Sequence, residues 1–154
     1  MSDELERGRR VYPPTFLLLA AVVMVCLHFL VPFRQIIRAP YRYLGIVPLV
    51  AGLAVVLSAA AIFQRMGTTV KPFEKSSTLI VHGLYRATRN PIYLGMVVSL
   101  IGIAVLAGSV SPFLVVPAFM YVIDRRFVRA EEAILEQTFG SQYAAYKASV
   151  RRWF

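Results

Sequence analysis

Charge in this chain is confined to short segments, and the gaps between them are long and apolar. Residues 16–33, 43–63 and 91–123 contain no Asp, Glu, Lys or Arg. A helix crossing a bilayer needs about 20 predominantly apolar residues. With no water inside the hydrocarbon, its backbone must satisfy its own hydrogen bonds. A water-soluble fold of 154 residues would have no shell left to cover three such stretches. Hydrophobic residues at 58% against 16% charged, with a mean hydropathy of +0.63, fit the same reading.

The apolar runs divide the chain. A first span is expected over 15–33, opened by Pro13-Pro14, which no preceding helix could enter. It is long and lacks a small-residue cleavage site after it, so it reads as a retained span rather than a cleaved signal. A second span covers 43–63 and carries small residues at Gly45, Ala51, Gly52, Ala54, Ser58, Ala59, Ala60 and Ala61. Small residues let membrane helices approach closely. Residues 64–90 are polar. The 33 apolar residues of 91–123 would make one helix of about 50 Å, too long for a hydrocarbon core of about 30 Å. Gly108-Ser109-Val110-Ser111-Pro112 interrupts them. The expectation is a helical hairpin of two short spans, 91–107 and 112–124, with its turn buried in protein. Over 125–150, Phe127, Ala130, Ile134, Leu135, Thr138, Phe139 and Gln142 approximate a helical stripe, broken at Gly140-Ser141. Trp153-Phe154 suits a membrane-interface anchor.

The fold class is therefore an all-α membrane protein of about four transmembrane helices. It includes the helical hairpin and a C-terminal amphipathic helix on the cytoplasmic side. One domain spans 1–154, with the two N-terminal spans in 1–63. Four spans put both termini on one side. That side would hold 14 of the 17 Lys and Arg and the other side 3 (Arg34, Arg38 and Arg42). The positive-inside rule then makes both termini cytoplasmic. The net charge of +9 is topological on this reading and does not point to nucleic acid. Cys26 is the one cysteine and forms no intrachain disulfide. His28 and His82, the only histidines, make no convincing metal set.

Two polar clusters remain. The first is His82-Gly83-Leu84-Tyr85-Arg86-Ala87-Thr88-Arg89-Asn90-Pro91-Ile92-Tyr93-Leu94-Gly95, which runs into an apolar helix. Polar residues at a membrane edge are costly unless something uses them. Asn90 is expected as the helix cap and Pro91 as the first helical residue. The free N–H groups of that helix start suit a carboxylate or phosphate, and Arg86 and Arg89 add positive charge. Anchoring at the membrane edge is the alternative role for both arginines. The second cluster is Glu131-Glu132. Side chains about 100° apart on a helix predict that one acid faces inward. Leu135 and Phe139 favour Glu132, with a solvated acidic face as the alternative for each. Arg126 and Arg129 lie nearby and would orient a carboxylate acceptor.

The pattern His82-Gly-x-Tyr85-(x3)-Arg89-Asn90-Pro91-x-Tyr93-x-Gly95 resembles the first cofactor motif of the isoprenylcysteine carboxyl methyltransferase and phospholipid methyltransferase superfamily. Glu131-Glu132-x-x-Leu135-(x3)-Phe139-Gly140-(x2)-Tyr143-(x2)-Tyr146 resembles its second. Gly67-Thr68-(x2)-Lys71-Pro72 is similar to the loop before the first motif in bacterial members. The resemblance covers residues 64–152. It implies that the C-terminal part, 64–154, encloses S-adenosyl-L-methionine near the cytoplasmic surface, in a bacterial inner-membrane protein. It implies that His82, Leu84, Tyr85, Arg89, Asn90, Pro91, Tyr93 and Leu94 border the cofactor. Glu131 and Glu132 would bind the cofactor or close the catalytic site, with Arg126 and Arg129 serving the acceptor. The acceptor would be a lipophilic carboxylate, amine or thiol, or a lipid. Many members have His-Pro where this chain has Asn90-Pro91, and an Arg where it has Phe127. The Asn-Pro form is also similar to NADPH-dependent sterol reductases, the alternative enzymatic reading. A non-catalytic small membrane protein is the other.

Overall fold

The computed structural model describes residues 12–65 and 78–153, and every regular element in them is helical. The elements are α1 (Pro13–Leu30), α2 (Ile46–Arg65), α3 (Pro91–Ala107), α4 (Val110–Ile123), α5 (Arg129–Phe139) and α6 (Ser141–Ser149). Tight 3₁₀ turns cover Tyr41–Gly45 and Gly83–Arg86, and a wide π turn over Asp124–Val128 joins α4 to α5. The motif-like stretch 67–72 lies outside the described residues.

The boundaries follow local chemistry. Pro13 sits at the start of α1, where its missing N–H costs nothing. α1 stops at Leu30, earlier than the expected 33, and Phe33 has a left-handed φ of 51° that no right-handed helix continues. α4 begins at Val110 rather than 112, because Pro112 is tolerated within a helix's first turn. Gly108 ends α3 with φ 75° and donates its N–H to Ala104 O, as the hairpin requires.

α3 is the central helix and packs against α2, α4 and α1. Against α2 the approach is backbone to backbone. A Cβ on Gly52 would lie 2.5 Å from Gly95 O, and one on Gly102 would lie 2.4 Å from Leu49 N. Against α1 and α4, α3 contributes Tyr93, Met96, Val97, Leu100 and Ala104 to a core shared with Ala20, Met24, Val116, Phe119 and Ile123. A second cluster, under the 79–86 segment, joins Ala59, Ile80, Tyr85, Tyr143 and Tyr146.

The two ends of the helix bundle differ. At one end the 31–40 segment pairs with the hairpin turn. Ile36 N–H and Ile37 N–H donate to Gly108 O at 2.8 and 3.0 Å, Val110 N–H donates to Arg34 O, and Ser111 donates to Val31 O. Ser109 is fully buried there against His28, so the turn is buried as expected. Segment 82–90, α5, α6 and residues 150–153 gather at the other end.

Pro13–Leu30 and Tyr41–Ile62 are long and apolar enough to cross a membrane. Only 17% of either window is buried, which is not the condition of a core helix in a water-soluble fold. Phe29 is 76% exposed and Leu57 69%. At 17 and 14 residues, α3 and α4 are shorter than a full span.

Candidate functional site

Three segments build the polar end, and backbone hydrogen bonds hold them in register. Arg89 N–H donates to Arg151 O at 3.0 Å. The Thr88 hydroxyl and the Asn90 side-chain amide both donate to Arg152 O, at 2.9 and 3.2 Å. Asn90 stands at the cap position of α3 but makes no side-chain cap. Its amide is committed to the C-terminal strand of chain, which corrects the capping expectation. Tyr146 donates its hydroxyl to Tyr85 O at 2.6 Å, fixing the 83–86 turn on α6. Burial pushes the Tyr146 hydroxyl up to about 12.

Both acids of the 131–132 pair are engaged, against the expectation of one. Glu131 accepts the Tyr93 hydroxyl at 2.6 Å. Glu132 is buried and accepts two hydrogen bonds from Arg152, Nε to Oε1 at 3.0 Å and Nη2 to Oε2 at 2.6 Å. The 100° between neighbouring side chains is real, but α5 has protein on two sides. It turns Glu131 toward α3 and Glu132 toward the tail. Burial raises the Glu131 carboxyl to about 7, with the Tyr93 hydrogen bond pulling the other way. Burial, and then the nearby Glu131 charge, also raises Tyr85 well above the ordinary tyrosine range.

Arg89 completes the cluster. Its side chain is 10% exposed, and Nη1 lies 3.2 Å from Glu132 Oε1. That approach is off the line a hydrogen bond needs, and neither Nε nor Nη1 has an acceptor among the described residues. A buried guanidinium donor without an acceptor is costly. Tyr143, wholly buried, faces the same guanidinium. Arg152 also reaches Asp124 at 3.4 Å, and Asp124 takes Arg129 Nε at 2.7 Å.

The other expected site residues fall around this cluster. Tyr85, Asn90, Pro91 and Tyr93 are buried, while Leu84 and Leu94 are partly so. His82 is exposed at the start of the 83–86 turn while Tyr85 is buried, so the two do not share an environment. Arg126 and Arg129, expected beside the acceptor, are both exposed. Arg126 lies over the Phe16 ring at 5.8 Å, and Arg129 is paired to Asp124. The arginine that forks onto Glu132 is Arg152, which carries no motif in the sequence. A shallow cleft of about 510 Å³ lies nearby, lined by Val81, Arg86, Gln142, Ala145, Tyr146, Ser149 and Val150. Its lining includes neither Glu131, Glu132 nor Arg89.

The phospholipid methyltransferase family model matches residues 41–142, and the chain belongs to that family. It is 38% identical over 82 residues to protein-S-isoprenylcysteine O-methyltransferase A of Arabidopsis thaliana, a match covering 51% of this chain and 40% of the plant enzyme. It is 36% identical over 62 residues to an uncharacterized protein of Haemophilus influenzae, 40% of this chain and 98% of that protein. No solved structure matches the chain.

Proposed function

We propose that this protein transfers a methyl group from S-adenosyl-L-methionine to a lipophilic acceptor at the cytoplasmic face of a bacterial inner membrane. Family membership supports the reaction class. The observation that supports the site is the buried Arg89 guanidinium beside Glu132, with Nε and Nη1 lacking hydrogen-bond acceptors among the described residues. A buried guanidinium N–H without an acceptor fits a carboxylate oxygen. The amino-acid end of the cofactor carries one, and a carboxylate acceptor carries another. Arg89 therefore takes the orienting role first expected of Arg126 and Arg129.

When bound, the cofactor supplies a methyl on a cationic sulfonium and a neutral thioether as leaving group. The chain supplies positioning and a shielded approach. Tyr85, Tyr93 and Tyr143 present aromatic surface suited to a cation. His82, Leu84, Asn90, Pro91 and Leu94 shape the rim, and Glu132 fixes the arginines. Glu131, hydrogen-bonded through Tyr93 and titrating near 7, takes the proton from an amine or thiol acceptor as the methyl bond forms. A carboxylate acceptor is already ionised and needs no such base.

Four helices cross the bilayer on this reading, with the short α3–α4 hairpin shielded by α1, α2 and the 31–40 segment. The end carrying the site holds the basic majority and faces the cytoplasm. S-adenosylhomocysteine release from reconstituted protein, with lipophilic amine, thiol and carboxylate acceptors, tests the reaction. The expected result is turnover of at least one class. For a thiol or amine, Glu131→Gln should lower turnover by about 100-fold. No release with any acceptor contradicts the proposal.

A further inference from the structure

The arginine at the chain's C-terminal end does something that anchoring alone does not require. Glu132 has two cationic neighbours and one carboxylate to share. Arg152 takes both of its oxygens, through Nε at 3.0 Å and Nη2 at 2.6 Å. Arg89 is left with Nη1 3.2 Å from Oε1 and no aligned hydrogen bond there. An arginine fork and a carboxylate pair best through two parallel bonds, and only one of the two arginines can form them with Glu132. Asp124 steadies Arg152 from behind at 3.4 Å. The backbone adds a second restraint, because Arg152 O accepts from both Thr88 and Asn90, the residues flanking Arg89. Tail and loop thus move together, while their two guanidinium groups compete for one acid.

We propose that Arg152 is a positioning residue which, by occupying both oxygens of Glu132, keeps the buried donors of Arg89 open for the carboxylate of a ligand. Without Arg152, Glu132 turns onto Arg89 and accepts an aligned hydrogen bond from its buried guanidinium. The anion site is then closed by the protein's own acid. This rests on the reading of Arg89 as a ligand-binding residue given above. The ligand chemistry is a carboxylate, from the amino-acid end of the cofactor or from the acceptor.

The test uses the full chain in lipid nanodiscs and calorimetric binding of three probes. S-adenosylhomocysteine carries the amino-acid carboxylate and 5′-methylthioadenosine lacks it. Hexylthioacetate is a short lipophilic carboxylate of the acceptor kind. Arg152→Gln should weaken S-adenosylhomocysteine or hexylthioacetate by about 10- to 150-fold, the worth of a charge-assisted hydrogen bond, and leave methylthioadenosine unchanged. Which carboxylate suffers identifies the ligand that Arg89 holds. The decisive arm is Arg152→Gln combined with Glu132→Gln. Removing the competing acid should restore binding toward the native value, whereas a merely structural loss would deepen. Arg152→Lys, which cannot take both oxygens as a fork, should fall between, and it serves if Arg152→Gln does not fold. Unchanged carboxylate binding in Arg152→Gln overturns the role of Arg152 alone, as does a double variant weaker than the single. Failure of the native protein to bind any adenosyl probe overturns the methyltransferase reading, and this role with it.

Discussion

Replacing Glu131 by Gln should make the protein more stable above neutral pH, although Glu131 sits in the proposed site. The folded chain holds the Glu131 carboxyl near pH 7, while an unperturbed one titrates at 4.5. Burial is the main cause, and the Tyr93 hydrogen bond opposes it. Between those two values the folded state binds more protons than the unfolded state, so stability falls as pH rises through the window. Each decade of proton affinity is worth about 1.4 kcal/mol. The full window thus costs the native protein about 3 kcal/mol, all of it lost by slightly above pH 7. Gln keeps the shape, can still accept the Tyr93 hydroxyl, and never ionises. The two proteins should match at pH 4.5. At pH 8 the variant should lead by up to about 3 kcal/mol, or roughly 6–12 °C in Tm for a chain of this size. Thermal unfolding in nanodiscs, followed by circular dichroism between pH 4.5 and 8, measures this. Parallel pH curves, or a variant less stable at pH 8, would refute the burial of this carboxyl.

Three further outcomes follow from packing and topology. Gly52→Ala places a Cβ 2.5 Å from Gly95 O and Ser99 N, both backbone. It should lower stability by about 1–3 kcal/mol, seen as a drop in Tm. Tyr146→Phe removes the hydroxyl donated to Tyr85 O and should cost about 0.5–1.5 kcal/mol, with a matching loss of protection in the 83–86 turn by hydrogen exchange. In a Cys26→Ala background, Arg38→Cys should react with an impermeant maleimide on intact cells and Ser149→Cys only after permeabilisation. The opposite pattern would reverse the proposed orientation.

The two long apolar helices, α1 and α2, were legible because a bilayer imposes a crude rule on composition, and charge-free runs obey it. The hairpin was legible for a similar reason, since Gly108 is the residue that adopts a left-handed φ. The two polar clusters of the sequence meet at one end of the helix bundle. What could not be read was which charges meet. Arg126 and Arg129 are near Glu131 in sequence, yet the π turn and α5 carry them outward to Phe16 and Asp124. Arg152 is 20 residues from Glu132 and reaches it only because the tail folds back along 88–90. Asn90 misled for the same reason. Its backbone stands at a helix start, but a tertiary partner took its side chain. The one available cue was the Arg151-Arg152 doublet beside Trp153, whose spacing carries no motif.

Direct titration tests for the cofactor. Native protein in nanodiscs should bind S-adenosyl-L-methionine saturably by calorimetry, rise in Tm with added ligand, and show no response to NADPH. A flat S-adenosyl-L-methionine titration with saturable NADPH binding would place the chain's chemistry among reductases. Silence toward both would leave a membrane protein without the proposed activity.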